Sequence, residues 1–298
     1  TNIRYQTIFP LGICHISFNF CIQIMLKTDM EDKKSLAGAW VEAARPRTLP
    51  ASVSPVLLGC ALAYYDGMFD ITPAVLCLLV ALFAQIASNF ANDYFDFKKG
   101  ADREDRLGPE RAVAQGWITP KAMLTGTFAM LGLACLSGLL LLCFADWRLI
   151  WVGLAIAICV LAYSAGPFPL AYNGLGDVCV LLFYGVIPVC FTYYIQTLSF
   201  SLLSFLLSVA LGLLSVNILV VNNYRDYVGR VFYILNECVA FLLVLPLVLD
   251  APWWILFLFG ILFALCFYTT RELLTLEGRA LNRTLGHTAR NVFLFAAV

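Results

Sequence analysis

The sequence predicts an all-α, polytopic transmembrane helical bundle with eight apparent helices plus a truncated ninth. Three observations lead there. The chain of 298 residues is 61% hydrophobic and only 13% charged, about half the charged fraction of an ordinary soluble domain. Its apolar residues fall into runs long enough to cross a hydrocarbon core of about 30 Å. Its basic residues sort to one side of those runs, as the positive-inside rule requires.

Taken in order, the runs are 49–65, 72–91, 123–144, 149–163, 177–195, 201–221, 231–249 and 252–269, with a ninth beginning at "NVFLFAAV", where the chain stops. Residues 8–26 are apolar but interrupted by His15, Asn19 and Gln23, and no small-residue cleavage site follows them. Met30 opens the polar "MEDKK". Residues 1–29 are therefore expected to be an extension, and residues 30–298 the membrane domain. With residues 30–48 placed inside, every Lys and Arg from Lys27 onward except Arg148 falls on the inner side, while Asp66, Asp70, Asp146 and Asp250 fall outside. That distribution predicts a membrane protein whose loops 97–122, 164–176, 222–230 and 270–290 open to the cytoplasm.

Formal net charge is zero, so no nucleic acid partner is expected; the lipid bilayer is. The 11 cysteines sit in or beside apolar runs without a CxxC pair, which argues for packing rather than a disulfide framework or zinc site.

The second run ends in "ASNFANDYFDFKKGADRED", residues 87–105. Asn92 and Asp96 are four apart and share a helix face, and Asn89 sits one turn earlier. Asp102 follows a glycine that lets the chain turn back. Oxygen ligands at the mouth of a bundle suit Mg²⁺, which takes one or two carboxylates, water and substrate phosphate; a solvated helix end paired to Lys98 and Lys99 is the plainer alternative. "VNNYRDYVGR", residues 221–230, repeats the spacing with Asn222 and Asp226 at the same side of the membrane. Ionisable groups at a bundle mouth are costly and usually functional. Two such clusters facing each other would hold Mg²⁺ and a diphosphate, easing heterolysis of an allylic C–O bond above an apolar chamber for an isoprenoid tail.

These residues resemble the UbiA superfamily of intramembrane aromatic prenyltransferases, over about residues 36–298. "WVEAARPRTLPASVSPVLLGCALAY" (40–64), "NDYFDFKKGADREDRLGPERAVAQGWITP" (92–120), "YSAGPFPLAYNGLGDVCVLLFYGVIPV" (163–189), "NNYRD" (222–226) and "LNRTLGHTARN" (281–291) are similar to its 1,4-dihydroxy-2-naphthoate polyprenyltransferase branch. The resemblance implies an enzyme of menaquinone biosynthesis. It would join polyprenyl diphosphate to 1,4-dihydroxy-2-naphthoate with loss of CO₂ and diphosphate, giving demethylmenaquinone. It further implies that Asp96, Asp102 and Asp226 bind Mg²⁺ and are catalytic, supported by Asn89, Asn92 and Asn222. Arg45, Arg47, Lys98, Arg106, Arg111 and Arg225 become candidates for the diphosphate or the acceptor carboxylate, and Tyr163 for the cavity edge. His287 reads as incidental.

One departure bears on activity. The family pattern carries another aspartate one turn past Asp226 and then a Gly-Lys-x-Thr stretch; here Arg230 stands in that place and the loop is shorter. A cation there is expected to repel metal. The alternatives are therefore another UbiA-type aromatic prenyltransferase, an inactive homologue, and a transporter with an acidic site.

Overall fold

The computed structural model describes residues 35–100, 110–166, 169–172, 174–223 and 227–298. Among the described residues the secondary structure is helical: α1 (Leu36–Ala44), α2 (Leu49–Tyr65), α3 (Ile71–Lys98), α4 (Pro120–Leu141), α5 (Leu149–Ala162), α6 (Gly176–Leu181), α7 (Ile187–Thr197), α8 (Leu202–Asn223), α9 (Tyr227–Leu249), α10 (Trp253–Thr275) and α11 (Leu281–Ala297). Seven helical stretches, Leu36–Tyr65 and Gly176–Thr197 each taken as one, are long and apolar enough to cross a membrane, and α5 is a shorter apolar helix. The chain is a multi-pass membrane protein. Asp102, Arg106, Arg225, Asp226 and the extension at 1–29 lie outside the described residues.

All eight expected runs are helices, and the differences lie at their ends. The first span begins earlier, at α1, and is broken at Arg45, whose backbone is left-handed (φ 54°). Pro46 follows immediately and opens a short 3-10 turn, Pro46–Thr48, because proline disfavours α geometry in the residue before it. The span 176–197 is interrupted by a π turn, Leu182–Val186.

The largest correction concerns the C-terminal end. Residues 281–290, expected in a loop, are the first turns of α11, which runs on through the "NVFLFAAV" segment. Its buried residues are Leu281, Thr284, Leu285, Thr288, Ala289, Asn291, Val292, Phe295 and Ala296, at the three- and four-residue spacing of an amphipathic helix. Hydropathy misses it because half of the buried face is Thr, Asn and Ala. That face seats α11 between α2 and α8, with α10 beside it. Tyr233 Oη lies 3.2 Å from Thr288 Oγ1, and Asn291 Nδ2 donates to Thr269 Oγ1 (2.9 Å). His287 is likewise accounted for, with Nδ1 2.6 Å from Glu272 Oε2.

Helix α3 packs along α4, α2 against α7, and α8 against α9. Glycines permit two of the closest approaches: Gly59 of α2 lies against Thr192 and the Val189 carbonyl, and Gly185 lies against Gly212 and the Ser208 carbonyl. Helices α2 to α8 surround a central cavity of about 940 Å³. Helices α9 and α10 contribute nothing to its lining and α11 contributes Leu285.

Candidate active site

One end of the cavity is polar. Asn89, Asn92 and Asp96 from α3, Arg45, Arg111, Tyr163, and Asn222 with Asn223 from the end of α8 all line it. The faces carrying Asn92–Asp96 and Asn222 thus share one chamber. Toward the other end the lining becomes Val56, Cys77, Leu141, Leu149 and Ile195, an apolar bore suited to a hydrocarbon.

Asp96 is the centre of the polar end. It is 4% exposed, and Arg111 Nη2 donates to its Oδ2 at 2.7 Å. The Asn92 amide, turned with its nitrogen towards Asp96, donates to Oδ2 at 2.6 Å. Arg111 reaches Asp96 because the loop after Glu110 is tied to α3. Asp93, also buried, accepts the backbone N–H groups of Ala112 (3.0 Å, Oδ2) and Val113 (3.4 Å, Oδ1). Beside this clasp, Ala112, Val113 and Ile118 pack on Phe90 and Met123. Asp93 was not among the sequence candidates, since it points away from the Asn92–Asp96 face; its only signal was a second acid inside the motif.

The Asp93 contacts make a prediction. Hydrogen bonds to a charged acceptor contribute about 1.5–3 kcal/mol each. Asp93→Ala is expected to free the 110–118 loop, raise tryptic cleavage after Arg111, and reduce activity about 10- to 100-fold, as loss of a supporting partner typically does. Unchanged cleavage and turnover would refute that role.

The sequence could not separate Arg45 from Arg47; the structure does. Arg45 lines the cavity, whereas Arg47 is exposed and outside the lining. The left-handed turn that turns the chain at Arg45 is held from both sides: Asn89 Nδ2 donates to the Ala44 carbonyl (2.8 Å), and Thr48 N and Oγ1 donate to the Arg45 carbonyl (2.9 and 3.0 Å). Non-glycine residues in sparsely populated backbone regions cost of order 1–3 kcal/mol and cluster at functional sites. Asn89 is therefore a brace as well as a lining residue. Lys98 is exposed and outside the lining: two residues past Asp96, it lies on the far side of a 3.6-residue turn. Tyr163, just beyond the end of α5, is part of the cavity lining.

Arg230 corrects an expectation. Its guanidinium donates to the carbonyls of Leu274 (3.1 Å) and Leu276 (3.2 Å), capping the C-terminal end of α10, where a cation is favourable. It is not among the described residues that line the cavity, so from this position no cation enters that lining.

The UbiA prenyltransferase family matches residues 52–231. This chain belongs to that family. A 1,4-dihydroxy-2-naphthoate octaprenyltransferase of Escherichia coli is 40% identical over 203 residues, covering 66% of each chain. The protein of that name from Mycobacterium tuberculosis is 41% identical over 191 residues, covering 63% of this chain and 64% of its own. These matches span just under two thirds of the relatives' own length. The fold agrees with a UbiA homolog from Archaeoglobus fulgidus solved bound to GPP and Mg²⁺, at a TM-score of 0.61 and 15% identity over 87% of this chain and 98% of that one.

The donors fit a hard cation. Asp96 and Asn92 supply oxygen-bearing side chains on adjoining turns, the chemistry Mg²⁺ prefers. Among the described residues, no group of three or more His, Cys, Asp or Glu stands together.

Proposed function

We propose that this chain transfers a polyprenyl group from polyprenyl diphosphate to 1,4-dihydroxy-2-naphthoate with decarboxylation, at the cytoplasmic face of a bacterial cell membrane. The observation that carries the reading is Asp96, buried with Arg111 and Asn92 at the polar end of an otherwise apolar cavity that Asn222 completes from α8. The family and the names of the relatives support the reaction class and the acceptor.

Asp96 and Asn92, joined in this reading by Asp102 and Asp226, would hold Mg²⁺. When bound, the cation supplies charge neutralisation of the departing diphosphate. Arg111 pairs with Asp96 and adds a fixed guanidinium charge at the same end. Arg45 suits the acceptor carboxylate. The apolar bore takes the isoprenoid tail and keeps water from the allylic cation, which the electron-rich naphthoate ring attacks at its carboxylated carbon; CO₂ leaves and aromaticity returns. No protein nucleophile is needed. The distribution of Lys and Arg supports the cytoplasmic facing, and the Arg230 guanidinium, turned to the end of α10, adds no cation to the described cavity lining.

Membranes containing the chain, given Mg²⁺ and both substrates, are expected to form prenylated naphthoquinol and release diphosphate and CO₂. EDTA should stop this and added Mg²⁺ restore it. Release of diphosphate with 4-hydroxybenzoate but not with the naphthoate would replace the acceptor; no diphosphate release with any acceptor would overturn the reading.

A further inference from the structure

Residues 85, 89, 92 and 96 recur at three- and four-residue spacing, so they form one stripe down α3, and all four line the cavity. The upper three have been accounted for: Asp96 meets Arg111, Asn92 meets Asp96, and Asn89 braces the turn at Arg45. Gln85 has not. It is 7% exposed, in the middle of the 28-residue helix α3, where a polar side chain is costly unless it is paired or used. Its Oε1 accepts the Tyr184 hydroxyl, and its Nε2 reaches Thr48 Oγ1 only at 3.5 Å. Among the described residues its second amide hydrogen has no protein partner.

Tyr184 is brought there by an irregularity that has a cause. Pro188 has no N–H, so the Tyr184 carbonyl loses its α-helical donor and instead accepts from Ser215 Oγ at 3.5 Å. The chain passes through the π turn Leu182–Val186, and Gly185 lets that turn press onto Gly212 of α8. Phe183, Tyr184 and Ile187 then line the cavity. Single π turns within α-helices are frequent at functional sites.

The pair offers complementary hydrogen bonding. A phenol needs one donor and one acceptor. The spare Gln85 amide hydrogen can donate to a phenolic oxygen, and the Tyr184 oxygen, whose own hydrogen is spent on Gln85, can accept a phenolic hydrogen. Gln85 lies seven residues from Asn92, about 10 Å along the helix axis. That interval leaves room for an allylic carbon and a fused ring between the diphosphate end and the pair. Arg45, on the mouth side, is left for the carboxylate.

We infer that Gln85 and Tyr184 form the subsite that reads the ring hydroxyl of the aromatic acceptor remote from its carboxylate. This rests on the cavity being the prenyl-transfer site and assigns the acceptor's far end within it. Tyr184 and Gln85 thereby select dihydroxy over monohydroxy aromatic acids.

The test is direct binding to the full chain purified in detergent, followed by the fluorescence of 1,4-dihydroxy-2-naphthoate and of 1-hydroxy-2-naphthoate, which lacks the remote hydroxyl. Wild type is expected to prefer the dihydroxy acid by about tenfold or more, the worth of a satisfied polar pair. Tyr184→Phe and Gln85→Glu, both close in shape to the native side chains, should each cut that preference to about threefold or less. Both should bind a non-hydrolysable prenyl diphosphate analogue as wild type does, which also reports that they fold. Full preference retained in both variants overturns the inference, as does equal weakening of the prenyl analogue, or a wild type without preference. If wild type discriminates between the acids but transfers no prenyl group, the subsite stands and the proposed reaction falls. If it transfers prenyl to the naphthoate while both variants keep full preference, the reaction stands and the subsite falls.

Discussion

Asp96→Asn is expected to lower prenyl transfer by about 10²- to 10³-fold, the scale of losing one preorganised electrostatic group at a reacting centre. The physical reason is the loss of one of the negative charges that would hold the cation. Asp96 is buried, and its described partners are a guanidinium and an amide. Asparagine keeps an oxygen to which Arg111 can still donate but gives up the buried ion pair, so some stability is lost as well, less than the about 3–5 kcal/mol expected when the whole side chain is removed. The signature of the proposed role is therefore specific: higher Mg²⁺ demand and lower turnover in the variant that remains folded. Asp70→Asn is the control. Asp70 caps the start of α3 at the opposite end of the same helix, accepting from Thr72 N at 2.8 Å, and should cost some stability without altering the Mg²⁺ requirement. Undiminished transfer by Asp96→Asn in a Mg²⁺ titration would remove that residue from the site.

The second large effect is structural. A Cβ added at Gly185 would sit 2.5 Å from Gly212 Cα, 2.6 Å from the Ser208 carbonyl oxygen and 2.9 Å from Gly212 N. All three are backbone atoms, so no rotamer change relieves the clash. Gly185→Ala must push the π turn off α8, and overpacking of this kind costs about 1–3 kcal/mol or more. The expected outcome is a clearly lower thermal midpoint in detergent together with loss of acceptor binding, because the displaced turn carries Phe183 and Tyr184. Gly132→Ala provides the contrast. It is also helical but has nothing within 4 Å of the added methyl, and alanine is the better helix former by about 1 kcal/mol. Equal midpoints for the two variants would show that the close approach is not what holds α6 and α7 to α8.

The eight apolar runs were legible because hydropathy is a local sum: about twenty residues either can or cannot cross a bilayer, and neighbours hardly change that. The Asn92–Asp96 and Asn222 faces were legible for a similar reason, since a four-residue spacing puts two side chains together whatever surrounds the helix. The first turns of helix α11, residues 281–290, were not legible, because Thr284 and Thr288 are buried by contact with other helices and not by their own apolarity. Arg45 and Arg47 looked equivalent in "ARPRT" until a left-handed turn, braced by Asn89 from a helix 45 residues away, sent one inward. Arg230 looked like damage to a metal site until its guanidinium was found on carbonyls of α10, 44 and 46 residues on.

Span and the polar rim of the cavity thus follow from composition and periodicity along the chain. Which charges enter the cavity, which acid holds the loop that delivers Arg111, and where Gln85 meets Tyr184 across 99 residues follow from how the helices pack. The division is physical: burial in a bilayer is set mainly by each segment's own side chains, whereas the direction of a guanidinium or an amide is set by whichever partner the fold brings within hydrogen-bonding reach.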